Sequence, residues 1–359
     1  MSNTGTTDPR QAVGRPRVVI TFREALRGSY LAEADLERLR TFAEPVWIAS
    51  EDGKAAPPLL DALSDAQALV ICHGAPAVDA TLLERAPHLR FLGEMEGDRF
   101  ASRIDVAAAH ARGITVVDTT NGSSYPVAEW ALALMMMALR NASWYFRRLI
   151  AGEPNVREAK GSPGHLYGEL TEKRVGMIGC GHIGRRLLEY LKPFRCEVRV
   201  YDPYLPPEIA DAYDFIQTSL ELVMRESDVV VVLAPLTPKT RGMIGARELA
   251  WLQPHAAFVN VSRGGIVDSQ ALIERLRGSD LRAALDVFDP EPIPADSEIR
   301  QLPNVFLSPH IAGTTAASRP RFFELMVDEL ERFFRGYQPR YVLHQRSLAN
   351  RRGEDEVSV

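Results

Sequence analysis

The sequence predicts an α/β protein made of two doubly wound parallel-sheet domains. Short apolar runs alternate with helix-like segments along most of the chain, which is the pattern of βα units. That alternation occurs twice, and a stretch rich in glycine, proline and charge, Ala151–Glu169, separates the two sets. A chain of 359 residues, 46% of them hydrophobic, is also too long for one ordinary core and suits two.

The elements follow in order. Arg17–Phe22, Val46–Ala49, Ala68–Cys72, Leu89–Gly93 and Ile114–Asp118 are apolar runs of strand length. Helices fit between them at Ala32–Thr41, Pro57–Ser64, Asp79–Ala86 and Asp105–Arg112. A long helix is expected from Val127 to about Ala151, with Pro126 near its first turn and Met135–Met137 read as buried packing rather than a cofactor contact. Beyond the connection, strands are expected at Arg174–Ile178, Glu197–Tyr201, Asp228–Leu233, Ala257–Val261, Arg282–Leu285 and Val305–Leu307. A final amphipathic helix, about Arg319–Arg335, can return the chain to its first half. The domains are therefore expected at 1–126 with 319–359, and at 127–318, with 1–16 and 345–359 flexible.

Composition narrows the function. The net charge of -5 comes without a basic block, which speaks against nucleic acid as a partner. No apolar run reaches membrane-spanning length, and the polar first residues lack the apolar core of a secretory signal. Cys72, Cys180 and Cys196 have neither metal-motif nor disulfide spacing. Reduced thiols, a cytoplasmic location and no metal are the expectation.

The glycine-rich turn Gly179-Cys180-Gly181-His182-Ile183-Gly184 stands between an expected strand and an expected helix. Gly179 allows the tight turn, Gly181 lets backbone approach a pyrophosphate, and Gly184 lets helix and strand pack. The helix N-terminus offers free N–H groups to the phosphates. Asp202, 18 residues beyond Gly184 at the end of the next strand, can accept from both ribose hydroxyls and would repel a 2′-phosphate. NAD is thus expected over NADP. Cys180 reads as a small residue facing the ligand, not a nucleophile.

Hydride transfer to a ketone also needs a cation and an acid/base, and three candidates follow expected strands. Arg263, before two glycines in NVSRGGIVD, can grip a carboxylate bidentately and polarise a neighbouring carbonyl. Glu291 lies between Pro290 and Pro292 in LDVFDPEP. His310, in SPHIAG, can donate to a ketone oxygen or accept a hydroxyl proton. A carboxylate on its far ring nitrogen would orient it and stabilise its protonated form.

GCGHIG with Asp202, SRGGIVD, ALDVFDPEP and SPHIAG, in this order and spacing, resemble the D-2-hydroxyacid dehydrogenase family from about Val18 to Tyr341. The resemblance implies a flavodoxin-like substrate domain built from both chain ends, with a Rossmann NAD domain inserted. It implies that Arg263 holds the substrate carboxylate, that His310 is the acid/base and that Glu291 supports it. It also puts Val261, Ser262 and Asp286 near the nicotinamide, with Gly313 completing the cofactor set, and implies a homodimer paired through the cofactor domain. A formate-oxidising branch of the family carries glutamine where Glu291 stands, so Glu291 favours the hydroxyacid branch. On the substrate side the resemblance points to His73, Gly74, Met95, Glu96 and Gly97. The loop there departs from the family pattern: it carries Glu94, Glu96 and Asp98, acids that disfavour a bound carboxylate unless they face away or pair with Arg99 or Arg103. That loop and the long tail motivate an alternative, an NAD(H)-sensing binding protein of the corepressor kind.

Overall fold

A computed structural model describes residues 14–96, 103–158, 168–278 and 280–353. The chain divides into two compact units. The first holds the residues up to Gly122 together with Ala316–Leu348, and the second holds Ser123–Thr315 and the residues from Ala349 on.

The first unit carries β1 (Arg17–Phe22), β2 (Glu44–Ala49), β3 (Ala68–Ile71), β4 (Phe91–Glu94) and β5 (Thr115–Asp118). They form one parallel sheet in the order β2-β1-β3-β4-β5. This is the flavodoxin order, which reverses direction between β1 and β3. Both faces are covered, so β3 is buried at every residue. Leu69 and Ile71 join the core containing Leu59, Leu63 and Leu83. Ala68 and Val70 face the other core, where Phe322, Phe323 and Met326 of the helix Ser318–Phe334 pack with Val18, Ile20 and Phe22.

The second unit carries β6 (Arg174–Ile178), β7 (Glu197–Tyr201), β8 (Ile216–Gln217), β9 (Val229–Val232), β10 (Ala257–Asn260), β11 (Arg282–Leu285) and β12 (Val305–Leu307). Their order, β12-β11-β10-β9-β6-β7-β8, is again wholly parallel, with its switch point between β6 and β9. That is the dinucleotide-fold order with one strand added beyond β11. The four valines of β9 show how period two works in a doubly covered sheet. Val229 and Val231 pack toward Ala131, Leu134 and Met135 of the helix Ser124–Leu139, whereas Val230 and Val232 pack toward Phe258 and Leu272.

Four expectations need correction. The long helix is two helices, Ser124–Leu139 and Ala142–Ile150, parted at Asn141, whose φ of 47° is left-handed and ends the first. Met135 is fully buried, but Met136 is 39% exposed, so the methionine run is not wholly core. The unit boundaries move to Gly122/Ser123 and Thr315/Ala316, because the helix starting at Ser124 belongs wholly to the second unit and the helix starting at Ser318 wholly to the first. The start of the expected tail is ordered: Gln345–Arg352 is helical and Leu348 is buried in the core with Leu59 and Leu63, while 354–359 lie outside the described residues. The strand β8 and the helix Glu24–Tyr30 had no clear sequence signal; β8 is two exposed residues and the helix contains Gly28.

Candidate active site

The glycine turn leaves the C-terminal end of β6 at the switch point. Gly179 has φ +94°, and a methyl group added there would lie 2.7 Å from the backbone nitrogen of Ala234, so only glycine fits. A methyl added at Gly184 would lie 3.1 Å from the Gly179 carbonyl oxygen, so the helix His182–Leu191 packs directly on the turn. At Gly181, the residue preceding that helix, an added methyl meets nothing within 4 Å. Open space at a helix N-terminus is what a diphosphate requires, so the turn fits the dinucleotide expected of it. Ile183 is half-buried against the helix Ser124–Leu139 cluster and supports the turn from beneath.

Asp202 accepts from the Cys180 N–H at 2.9 Å and from the Tyr204 N–H at 3.0 Å. Its carboxylate thereby braces the turn, and its remaining lone pairs stay available to ribose hydroxyls. Burial, with Asp202 beside it, pushes the Cys180 thiol up to about 12, so it remains protonated and non-nucleophilic. His182 keeps an exposed edge, yet enclosure of its ring, reinforced by Arg185 and Arg186, holds the imidazole down at about 4.

The loop after β10 is organised by a residue not singled out from sequence. The Asn260 side chain accepts from the Ser262 N–H at 3.0 Å and donates to the Arg263 carbonyl at 3.1 Å. An amide closing a strand just before SRGG is the only available signal for it. Ser262 Oγ donates to the Ala234 carbonyl, tying this loop to the end of β9. Val261 is buried beneath, and the half-buried Arg263 guanidinium donates to the Ser262 carbonyl at 2.7 Å, using one of its five N–H groups. A methyl on Gly264 would fall 1.9 Å from the Phe288 carbonyl carbon. The Arg263 loop therefore rests directly on the backbone leading to Glu291.

Glu291 Oε1 and His310 Nδ1 are 2.6 Å apart, although the residues are 19 positions apart in the chain. The Glu291 and His310 side chains remain 37% and 41% exposed, and Nε2 is the ring nitrogen outside this contact. His310 has a left-handed φ of 55°, an unusual conformation for a non-glycine residue. Asp286 explains how it is maintained. The carboxylate has no accessible surface; it accepts from Ser308 Oγ at 2.5 Å, from the Ile311 N–H at 3.1 Å and from the Ala312 N–H at 2.9 Å. It holds the segment around His310 from behind. A methyl at Gly313 would make only ordinary contacts, 3.6 Å from Ser123 and Val127.

In the first unit, His73 and Gly74 follow β3 beside the β1/β3 switch point, and the His73 carbonyl accepts from the Arg23 N–H at 2.9 Å. Gly74 has φ +86°, and a methyl there would collide with Arg23 and with the Ser50 carbonyl. His73 Nε2 is 2.9 Å from Glu96 Oε2. The acid-rich loop resolves accordingly: Glu94 is fully buried and pairs with Arg103 at 3.2 Å, and Glu96 pairs with His73. Met95 has no accessible surface, and its side chain belongs to the core with Phe322 and Met326. Gly97, Asp98 and Arg99 lie outside the described residues.

Residues 132–312 match the family described as "D-isomer specific 2-hydroxyacid dehydrogenase, NAD binding domain". The chain belongs to the D-isomer specific 2-hydroxyacid dehydrogenase family. It is 35% identical to D-3-phosphoglycerate dehydrogenase of Methanocaldococcus jannaschii over 79% of this chain, but only 53% of that relative's length. The chain thus spans about half the length of this and other matched phosphoglycerate dehydrogenases. It is 34% identical to mitochondrial formate dehydrogenase 2 of Oryza sativa, over 76% of this chain and 72% of that one. A phosphoglycerate oxidoreductase structure from Rhizobium etli aligns with a TM-score of 0.77 at 25% identity, covering 92% of this chain and 98% of that one. Among the described residues, no helix is long and apolar enough to cross a membrane.

Proposed function

We propose that the protein is an NAD-dependent oxidoreductase that interconverts a D-2-hydroxy acid and the corresponding 2-oxo acid. The observation that carries this reading is the 2.6 Å contact between Glu291 and His310, beside the loop bearing Arg263. Gly179, Gly181, His182, Gly184 and Asp202 would hold NAD(H), which when bound would supply or accept the hydride at the substrate carbon. Arg263 binds the substrate carboxylate and polarises the adjacent carbonyl. His310, oriented through Nδ1 by Glu291, donates a proton from Nε2 to the oxygen during reduction and takes it back during oxidation. Asp286 acts through the backbone, as a positioning residue.

The similarity to plant formate dehydrogenases favours a second reading, formate oxidation. That reaction releases carbon dioxide and moves no proton to or from an alcohol oxygen, so it leaves an acid/base pair without a task. A His310→Ala protein assayed with NADH and a panel of 2-oxo acids tests the first reading. Loss of the acid/base should lower turnover about 10²–10⁴-fold. Turnover near that of the parent on the best substrate, with the fold intact, would refute the role given to His310. NAD⁺ reduction by formate, with no activity on any 2-oxo acid, would favour the second. NADH binding with turnover on neither substrate class would favour a cofactor sensor.

A homodimer through the NAD-binding unit is part of the same proposal. Phe146, Leu149 and Ile150, on the helix Ala142–Ile150, are 60%, 68% and 67% exposed and form an apolar patch suited to a second copy. Sedimentation velocity should give a dimer that Leu149→Glu shifts toward monomer; a parent protein that sediments as a monomer would remove this part.

A further inference from the structure

Cys72, His73 and Glu96 converge in the first unit; the family resemblance places His73 and Glu96 on the substrate side, but hydride and proton transfer as proposed above use none of the three. One donor atom from each, a thiol sulfur, an imidazole nitrogen and a carboxylate oxygen, lies within 4.8 Å of the other two. Among the described residues this is the one group of at least three such side chains close enough to share an ion. We infer that it is a binding site for a zinc-class divalent ion with three protein ligands, Cys72, His73 and Glu96.

The donor set is of mixed softness, and thiolate, imidazole and carboxylate together suit zinc or cobalt better than calcium or magnesium. Zinc–ligand bonds of about 2.0–2.3 Å place tetrahedral donors roughly 3.3–3.7 Å apart. His73 Nε2 and Glu96 Oε2, at 2.9 Å, would open by about half an ångström. The sulfur would close by up to about an ångström.

Charge also fits. Arg103 donates to the Cys72 carbonyl at 2.7 Å and to the buried Glu94 at 3.2 Å, so its charge is matched. A thiolate and the Glu96 carboxylate then balance a divalent ion, while His73 coordinates as neutral imidazole. Binding releases the Cys72 thiol proton, which makes affinity rise with pH.

Position gives the independent argument. Cys72 and His73 directly follow β3 beside the β1/β3 switch point, and Glu96 follows the adjacent β4. In an open α/β sheet that crevice is where ligands bind. Cys72 is fully buried, whereas the side chains of His73 and Glu96 are 21% and 28% exposed, leaving a fourth position open to water. Sequence spacing could not reveal the site, because its donors come from two strand ends.

Cobalt(II) is the probe, added to reduced, metal-stripped, full-length protein and then displaced by zinc(II). One equivalent per chain should bind and produce a thiolate-to-cobalt charge-transfer band in the near ultraviolet that zinc bleaches. Cys72→Ser should abolish the band. Glu96→Gln and His73→Gln should each weaken cobalt binding by at least about tenfold. Cys196→Ser should change neither band nor affinity. Absence of the band in the parent protein, or its survival in Cys72→Ser, overturns the site. If Cys72→Ser does not fold, unchanged affinity in both other variants overturns it and weakening in both supports it. None of these readings depends on turnover, so the site and the proposed dehydrogenase activity stand or fall separately.

Discussion

Asp286 sits between two chemistries. It is a charged group with no exposure, and three donors converge on it from the segment that carries His310. Asp286→Asn would turn an NH₂ group toward at least one of those donors. We expect a stability loss of about 1–3 kcal/mol in denaturant titration and a fall in kcat larger than any change in KM. A kcat equal to that of the parent would mean that His310 is held without it. Cys180 allows a cleaner test. Its ordinary value of 9.0 is raised to about 12, so its thiolate population at pH 8 should be about a thousandfold below that of a free thiol. Iodoacetamide mapping by mass spectrometry should find it labelled only after unfolding. His182 adds a pH dependence. The unfolded chain protonates it near 6.5 and the folded chain only near 4, so stability is full above pH 6.5 and falls as pH drops toward 4. His182→Gln should flatten the acid side of the stability profile over that interval.

At the scale of elements, loops are set by strand ends meeting one another. Gly264 permits the loop after β10 to touch the backbone after β11, and Gly264→Ala would force the two apart. The expected cost is about 1–3 kcal/mol together with weakened substrate binding, since Arg263 is the adjacent residue. Thermal melts and KM for the 2-oxo acid would measure it. Sequence reading succeeded best for the strands: Arg17–Phe22, Arg174–Ile178, Glu197–Tyr201, Arg282–Leu285 and Val305–Leu307 coincide with the expected runs. The signal there is a local one, an apolar run between polar turns. It failed at β8, which buries little, and at Asn141, where one left-handed residue ended a helix whose apolar pattern continued. The pairing of Glu291 with His310 was legible because motif order restricts both to strand ends. The inward turn of Met95 and Asp286 was not, because a strand-end residue can face either the crevice or the core, and only packing decides which.

For the whole molecule, both sheets are parallel throughout, so the residues of interest all follow C-terminal strand ends: the glycine turn after β6, Arg263 after β10, Glu291 after β11 and His310 after β12. Binding of NADH to the folded form alone should raise stability by about 2.7 kcal/mol at a hundred times its dissociation constant. Scanning calorimetry should show the rise with NADH and a smaller one with NADPH at equal concentration, because Asp202 opposes a 2′-phosphate. Equal rises would remove the NAD preference. The return helix Ser318–Phe334 has a consequence for synthesis. Phe322, Phe323 and Met326 fill the same core as Val18, Ile20 and Phe22, so strands made early must wait for a helix made about three hundred residues later. On the ribosome, the unit encoded in the middle can close while the earlier segment still lacks its lid of aromatics. A nascent chain stalled soon after Thr315 should therefore resist protease from residue 123 onward and be cut before it.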